Sequence, residues 1–338
     1  MKQMTKSVTV VGAGSWGTAL AQVLCDNQNE VMLYDLNQEI VNDINQNHQN
    51  SRFFKELSLP QNLKATTNLS EALKETEIIL LSVPTKVIRD VLKDINRVLD
   101  HPVVIINASK GIEPGTHKRV SEIVEEEISE ENLVAFVALT GPSHAEEVIE
   151  RAVTTVTCAA TVAEVANEIQ ILFNNQYFRV YRVDDLIGVE VGGSIKNVIA
   201  LAAGIIAGLG YGDNAKAALI TRGLVEIKRL GVAIGANEET FGGLSGLGDL
   251  IVTCTSVHSR NWQAGYKIGS GSNLQEAIDS MTMVVEGVRT CQATYELAHE
   301  LGIEMPIVET VYQVIFNKLD PTTAISQLMT REMKPEFY

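Results

Sequence analysis

Cysteine is scarce. The 338 residues hold four, Cys25, Cys158, Cys254 and Cys291, far apart, with no C-x-x-C pair and no histidine cluster nearby. That spacing argues against a disulfide framework or a cysteine-based site, and the thiols are expected to be reduced, buried and inert, as in a cytoplasmic protein. Positive charge is short as well: 27 Lys and Arg stand against 42 Asp and Glu, for a net charge of -15 and a pI near 4.9. That balance opposes nucleic acid and anionic membrane surfaces as general partners, and any anionic substrate needs a local cationic site. None of the six histidines shows H-E-x-x-H or C-x-x-H spacing, so no metal site is expected. The uncharged stretch 197–212 is 16 residues with four glycines. It is short of the about 20 residues of a membrane span and reads as a central buried helix. The N-terminus runs straight into a strand-like segment, which leaves no room for a signal peptide. Internal repeats, low-complexity tracts and Pro/Ser-rich linkers are also missing.

What is present is 45% hydrophobic residues, enough for a substantial core in a chain suited to roughly two domains. The first half alternates strand-like runs (8–11, 30–34, 77–83, 103–107, 132–139, 152–160, 177–183) with helical stretches near 85–97, 117–128 and 162–173. Such alternation implies a parallel sheet with helices on both faces. After Asp184-Asp185 the pattern turns to helical periodicity alone, over 188–208, 214–234, 259–269, 287–301 and 306–317. The expected boundary divides residues 1–186, a dinucleotide-binding domain, from 187–338, an all-helical substrate domain. An active site is expected in the cleft between them.

The dinucleotide expectation comes from "VTVVGAGSWGTALAQVL", which reads strand, glycine turn, helix. Gly12 makes the tight turn, Gly14 admits a pyrophosphate and Gly17 lets the helix pack closely, with the helix N-terminus facing phosphate charge. A second strand ends in Asp35, roughly 20 residues on, where a carboxylate meets the ribose hydroxyls of NAD or caps the helix beginning near Asn37. No arginine adjoins Asp35 to receive a 2′-phosphate. Further along, residues just beyond the strands come into view: Pro84, which ends a strand; Lys110, placed at the cleft mouth; and Gly141-Pro142-Ser143-His144-Ala145, a turn that opens a helix.

The helical half supplies Lys196 in "GVEVGGSIKNVIALAAG", where Gly193, Asn197 and Ala200 share its face and leave room for a ligand. On so apolar a helix the lysine either snorkels to the surface or stays desolvated, with a lowered pKa suited to proton transfer near neutral pH. Asp249 follows a glycine-rich turn. Ser259-Arg260-Asn261 opens a helix, fit for a phosphate dianion or for a plain serine cap. Glu286 precedes another helix like a capping carboxylate. His144 and His258 read as substrate contacts or as hydrogen-bonded structural residues.

"GAGSWGTALA", "NASKGIEPGT", "GPSHAEEV", "VGGSIKNVIALAAGI", "GYGDNAKAALITRGL", "GLGDLIVTCTSVHSRN" and "VVEG" together resemble the bacterial-type NAD(P)-dependent glycerol-3-phosphate dehydrogenases, in order and over nearly the whole chain. The resemblance implies an N-terminal Rossmann-type parallel-sheet domain, a helical C-terminal domain and a cytoplasmic homodimer. It also implies reduction of dihydroxyacetone phosphate to sn-glycerol 3-phosphate for phospholipid synthesis. It assigns Ser15, Trp16, Lys110, Ala145, Arg260, Val284 and Glu286 to the cofactor. The substrate goes to Lys110, Gly141, Ser143, Lys196, Asp249, Ser259, Arg260 and Asn261, with Lys196 as proton donor and acceptor. Catalysis involves Lys196, Lys110 and Asp249. Because Asp35 departs from the family pattern, NADH is expected to serve at least as well as NADPH. Two rivals carry other expectations: a β-hydroxyacid dehydrogenase, which shares glycine-rich K-N helices, and a non-catalytic nucleotide-sensing protein, which has no need of two cleft lysines.

Overall fold

The structure, a computed structural model, describes residues 5–281 and 284–336. Eight strands form one sheet: β1 (Ser7–Val11), β2 (Glu30–Tyr34), β3 (Lys64–Thr66), β4 (Ile78–Leu81), β5 (Val103–Asn107), β6 (Leu133–Thr140), β7 (Thr154–Ala160) and β8 (Phe178–Arg182). Between them run α1 (Ser15–Asp26), α2 (Gln38–Asn47), α3 (Leu69–Leu73), α4 (Thr85–Val98), α5 (Val120–Glu127), α6 (Ala145–Ile149) and α7 (Ala163–Phe173). β4 and β5 are buried at every position, as strands covered on both faces must be. α4 shows how the covering works: Thr85, Ile88, Leu92 and Ile95 are its buried residues, one stripe at helical spacing.

The strand order is β3-β2-β1-β4-β5-β6-β7-β8. The order reverses between β1 and β4, and the crevice beyond the carboxyl ends at such a switch point is where an open α/β sheet receives its ligand.

The expectation of a parallel sheet needs one correction. β7 runs antiparallel to β6, with Thr140 opposite Thr157. A parallel return would carry the chain back along the eight residues of β6, about 26 Å. Residues 141–153 join the two strands with a helix of only five residues, too short to cover the sheet as a crossover helix does, and the chain turns back at the end it has reached. That short connection keeps Gly141–His144 at the cleft. β3 and α3 are additions to the expected elements, being too short to show a periodicity.

From residue 186 the described chain is helical: α8 (Leu186–Gly208), α9 (Asp213–Ala233), α10 (Asp249–Thr255), α11 (Arg260–Gly269), α12 (Leu274–Asp279), α13 (Glu286–Glu300), α14 (Pro306–Phe316) and α15 (Pro321–Met329). α8 is the axis, packed by α9, α10, α11, α13 and α14. It begins well before residue 197, and its 23 residues make it long and apolar enough to cross a membrane, yet 83% of its most apolar window is buried inside the protein. Its glycines serve α11. A side chain at Gly204 would come within 2.0 Å of the Trp262 carbonyl oxygen, and one at Gly265 within 2.1 Å of that of Leu201. The two backbones therefore approach closely, which sets the start of α11 beside Lys196 and Asn197.

Candidate active site

A cleft of about 550 Å³ runs between the carboxyl ends of the strands and the helical half. At its centre Asp249 holds two lysines. Lys110 Nζ donates to Asp249 Oδ2 at 2.8 Å and to the Gly141 carbonyl at 3.2 Å. Lys196 Nζ donates to Asp249 Oδ1 and, at 2.7 Å, to Thr253 Oγ1. The side chains of Lys196 and Asp249 are 6% and 1% exposed, so Lys196 does not snorkel. Burial pulls its ammonium down from 10.5 to about 7, Asp249 opposes that shift, and the neighbouring Lys110 charge adds to it.

Local structure explains how the three groups converge. Ser109 N–H donates to Asn107 Oδ1, Asn107 Nδ2 donates to the Ser109 carbonyl, and Ser109 Oγ donates to the Val83 carbonyl, which stiffens the turn that aims Lys110. A π-helical turn, Leu244–Gly248, precedes Asp249. A side chain at Gly246 would meet the Phe241 carbonyl oxygen at 2.2 Å, so this turn tolerates only glycine there. Thr253, one helical turn beyond Asp249, donates to the Asp249 carbonyl at 2.6 Å and keeps its oxygen for Lys196. Sequence reasoning passed over it, although the i, i+4 spacing from Asp249 in "DLIVT" was available.

The glycine turn matches a dinucleotide on three physical counts. Gly12 has φ +106, and a side chain there would strike the Ser82 carbonyl oxygen at 2.6 Å; one at Gly17 would lie 2.0 Å from the Gly12 carbonyl oxygen. A side chain at Gly14 would meet nothing within 4 Å, which leaves open space beside the backbone. α1 starts at Ser15 with no side-chain cap, so its first N–H groups are free for a pyrophosphate. These features fit the nicotinamide dinucleotide.

Most residues singled out in the sequence meet in this cleft: Gly12, Gly14, Ser15, Trp16, Asp35, Lys110, Ser143, Ala145, Lys196, Asn197, Asp249, Ser259, Arg260, Asn261, Val284 and Glu286 line it, with His144 and His258. Gly17 and Gly141 lie behind the wall. Gly141 reaches the site through its carbonyl, which also accepts from Ser143 Oγ at 2.8 Å.

Some geometry departs from expectation. Asp35 does not cap the helix: Asn37 does, accepting from Glu39 and Ile40 N–H. Asp35 instead accepts from Ala13 N–H at 2.8 Å and Asn37 N–H at 2.9 Å, bracing the glycine turn. Glu286 begins α13 but caps another helix, accepting from Thr85 N–H at the start of α4 at 3.1 Å, while burial raises its pKa. Ser259 does cap α11, accepting from Trp262 N–H. The Asn261 amide is shared between Asn197 and the Gly287 N–H. Arg260 crosses the cleft to donate to Ser15 Oγ at 2.7 Å, linking the starts of α11 and α1. An arginine from beyond α2, Arg52, does line the same cleft as Asp35, together with Phe53. All four cysteines are free and buried, and burial pushes the thiols of Cys25, Cys158 and Cys254 up to about 12.

A doubly wound sheet with an open glycine turn, facing a buried lysine near neutrality, defines a nicotinamide-dependent dehydrogenase. Models of the NAD-dependent glycerol-3-phosphate dehydrogenase N-terminus and C-terminus match residues 7–166 and 185–326, and the chain belongs to the NAD(P)-dependent glycerol-3-phosphate dehydrogenase family. It is 56% identical over 333 residues to glycerol-3-phosphate dehydrogenase [NAD(P)+] of Bacillus cytotoxicus, covering 98% of this chain and 97% of that one. The crystal structure of the Coxiella burnetii glycerol-3-phosphate dehydrogenase is similar at a TM-score of 0.92 and 35% identity, over 97% of this chain and 99% of that one. The structure of the corresponding Saccharomyces cerevisiae enzyme gives 0.83 at 27% identity, over 96% and 99%. The rival readings, a hydroxyacid dehydrogenase and a non-catalytic sensor, give way to this family.

Proposed function

We propose that this enzyme reduces dihydroxyacetone phosphate to sn-glycerol 3-phosphate in the cytoplasm, supplies glycerophospholipid synthesis and works as a homodimer. Residues 1–186 form the dinucleotide-binding domain and 187–338 the substrate domain, a division supported by the change from strands to helices between Arg182 and Leu186. The observation that carries the chemistry is Asp249 clasped by Lys196 and Lys110 inside the cleft.

The bound nicotinamide cofactor supplies the hydride that goes to C2 of the ketone. Lys196 Nζ gives a proton to the C2 oxygen, and its pKa of about 7 suits transfer in either direction near neutral pH. Lys110 stabilises negative charge developing on that oxygen. Asp249 holds both ammonium groups in place; two cations against one carboxylate leave the centre net positive, which draws an anionic substrate to a protein of net charge -15. The phosphate end goes to the N-terminus of α11, where Arg260 adds a guanidinium fork and the Ser259 hydroxyl keeps a proton to donate. Asn261 has one amide N–H left for the same task. Gly141 and Ser143 border the carbon skeleton. Ser15, Trp16, Ala145, Val284 and Glu286 would border the cofactor, and the uncapped start of α1 would receive its phosphate charge. Asp35, which has lone pairs beyond its two backbone bonds, accepts from the adenosine ribose, so NADH serves at least as well as NADPH.

The test is cofactor absorbance with dihydroxyacetone phosphate, NADH and NADPH being run in parallel. Oxidation of NADH at least as efficient as that of NADPH is expected. No oxidation of either cofactor by this ketone would refute the substrate, and a strong NADPH preference would refute the role of Asp35.

A further inference from the structure

At the far end of the cleft from Lys196 stands a cation that this reaction does not use. Arg52 lines the cleft, and its segment is fixed beside the glycine turn by the Asn50 bond to Ala13, the residue whose N–H Asp35 accepts from. It is exposed, and among the described residues its guanidinium has no hydrogen-bond or ion-pair partner. The other cations of the cleft each have a partner in the fold, Lys110 and Lys196 on Asp249 and Arg260 on Ser15 Oγ, and are assigned to the substrate.

The segment that carries Arg52 is held firmly. Asn50, 1% exposed, donates to the Ala13 carbonyl at 3.0 Å and to Thr18 Oγ1 at 2.9 Å. Ser51 donates twice to Asp43 at 2.8 Å, through its N–H and its hydroxyl, so the carboxylate nearest in these bonds is already engaged. Phe53 and Phe54 N–H both donate to the Asn50 carbonyl, and Phe54 is buried. Ala13 is thus gripped on both sides, its N–H by Asp35 and its carbonyl by Asn50. An acid and, two residues beyond Asn50, a base are thereby tied to one residue of the glycine turn.

We propose that Arg52 receives the ribose 2′-phosphate of NADPH, and that use of both cofactors depends on this guanidinium offsetting the Asp35 carboxylate. A 2′-phosphate brought beside Asp35 meets like charge. A guanidinium stays ionised at any working pH and presents a planar fork that matches phosphate oxygens. NADH carries a hydroxyl at that position, which Asp35 accepts from and Arg52 scarcely affects. The inference rests on the nicotinamide-cofactor reading of the cleft and not on the identity of the substrate.

The experiment compares wild type with Arg52→Ala and Arg52→Lys by calorimetric binding of adenosine 2′,5′-bisphosphate and of adenosine 5′-monophosphate, alongside kinetics with both cofactors. Circular dichroism checks that the variants fold, as an exposed site allows. Arg52→Ala should weaken bisphosphate binding by about tenfold or more, the scale of a lost charge-assisted contact. Monophosphate binding and kcat/KM for NADH should stay within about twofold, KM for NADPH should rise with kcat unchanged, and Arg52→Lys should fall between. Added salt should weaken the bisphosphate more in wild type than in Arg52→Ala. Parallel weakening of both nucleotides, or no change in either, would overturn the proposal. Wild type that binds neither nucleotide would count against the cofactor reading itself, and Arg52 with it.

Discussion

At the Lys196 end of the cleft the charged groups are buried and bonded to one another; at the Asp35 end a carboxylate is bonded to backbone and a guanidinium stands in solvent. The first arrangement takes lysine to about 7 because water is excluded and a second ammonium lies close. At the second end water screens each charge, so a group there changes which ligand binds and by a modest factor. On the proposed function, desolvated charge carries the chemistry and screened charge tunes selectivity.

The sharpest way to break that contrast is Asp249→Asn. It takes the shared counter-charge from buried Lys196 and half-buried Lys110, a loss of at most about 3–5 kcal/mol by the behaviour of broken buried pairs, reduced because Lys196 sheds its proton once Asp249 no longer holds its charge. Denaturant unfolding should register that loss and turnover should fall by more than about 100-fold; a variant of wild-type stability would mean that the lysines find other partners. Arg260→Ala comes next. It removes the guanidinium at the start of α11 and the bond to Ser15, so KM for dihydroxyacetone phosphate should rise and kcat fall by about 10- to 100-fold, since phosphate binding orients the reacting carbon. An unchanged KM would put the phosphate elsewhere. The smallest effect belongs to the exposed end. Asp35→Gly loosens the glycine turn for both cofactors, so the ratio is the readout. The NADPH-to-NADH ratio of kcat/KM should rise by about fivefold, the worth of about 1 kcal/mol from one screened charge pair. A fixed ratio would show that this carboxylate does not select.

Much of this was legible along the chain because it is local. A buried strand, three glycines at fixed offsets and a helix start are decided within a dozen residues, and the structure bears out the α/β class with its helical second half. Lys196 stood out because charge on an apolar helix face is costly. What stayed hidden is tertiary. The antiparallel β7 goes with a connection whose helix is too short to cover the sheet, and which way the chain turns there is decided by packing and not by local pattern. Thr253 matters only once Lys196 Nζ arrives beside it. Arg52 reaches the cleft because Asn50 bonds to the glycine turn, a contact no spacing announces. Asp35 and Glu286 were visible as acids near helix starts, but which backbone N–H each would accept from depended on elements that meet only in the fold.

The central claim is that Lys196 is the proton donor, and kcat for ketone reduction against pH in wild type and Lys196→Ala tests it most directly, with cofactor affinity measured on the same samples. Reduction needs the ammonium form, so the wild-type rate should fall as pH rises through about 7. Lys196→Ala should bind NADH nearly as wild type does, lose about 100-fold or more in kcat, and lose that limb of the profile. A folded Lys196→Ala enzyme with near-wild-type turnover and the same pH limb would contradict the assignment.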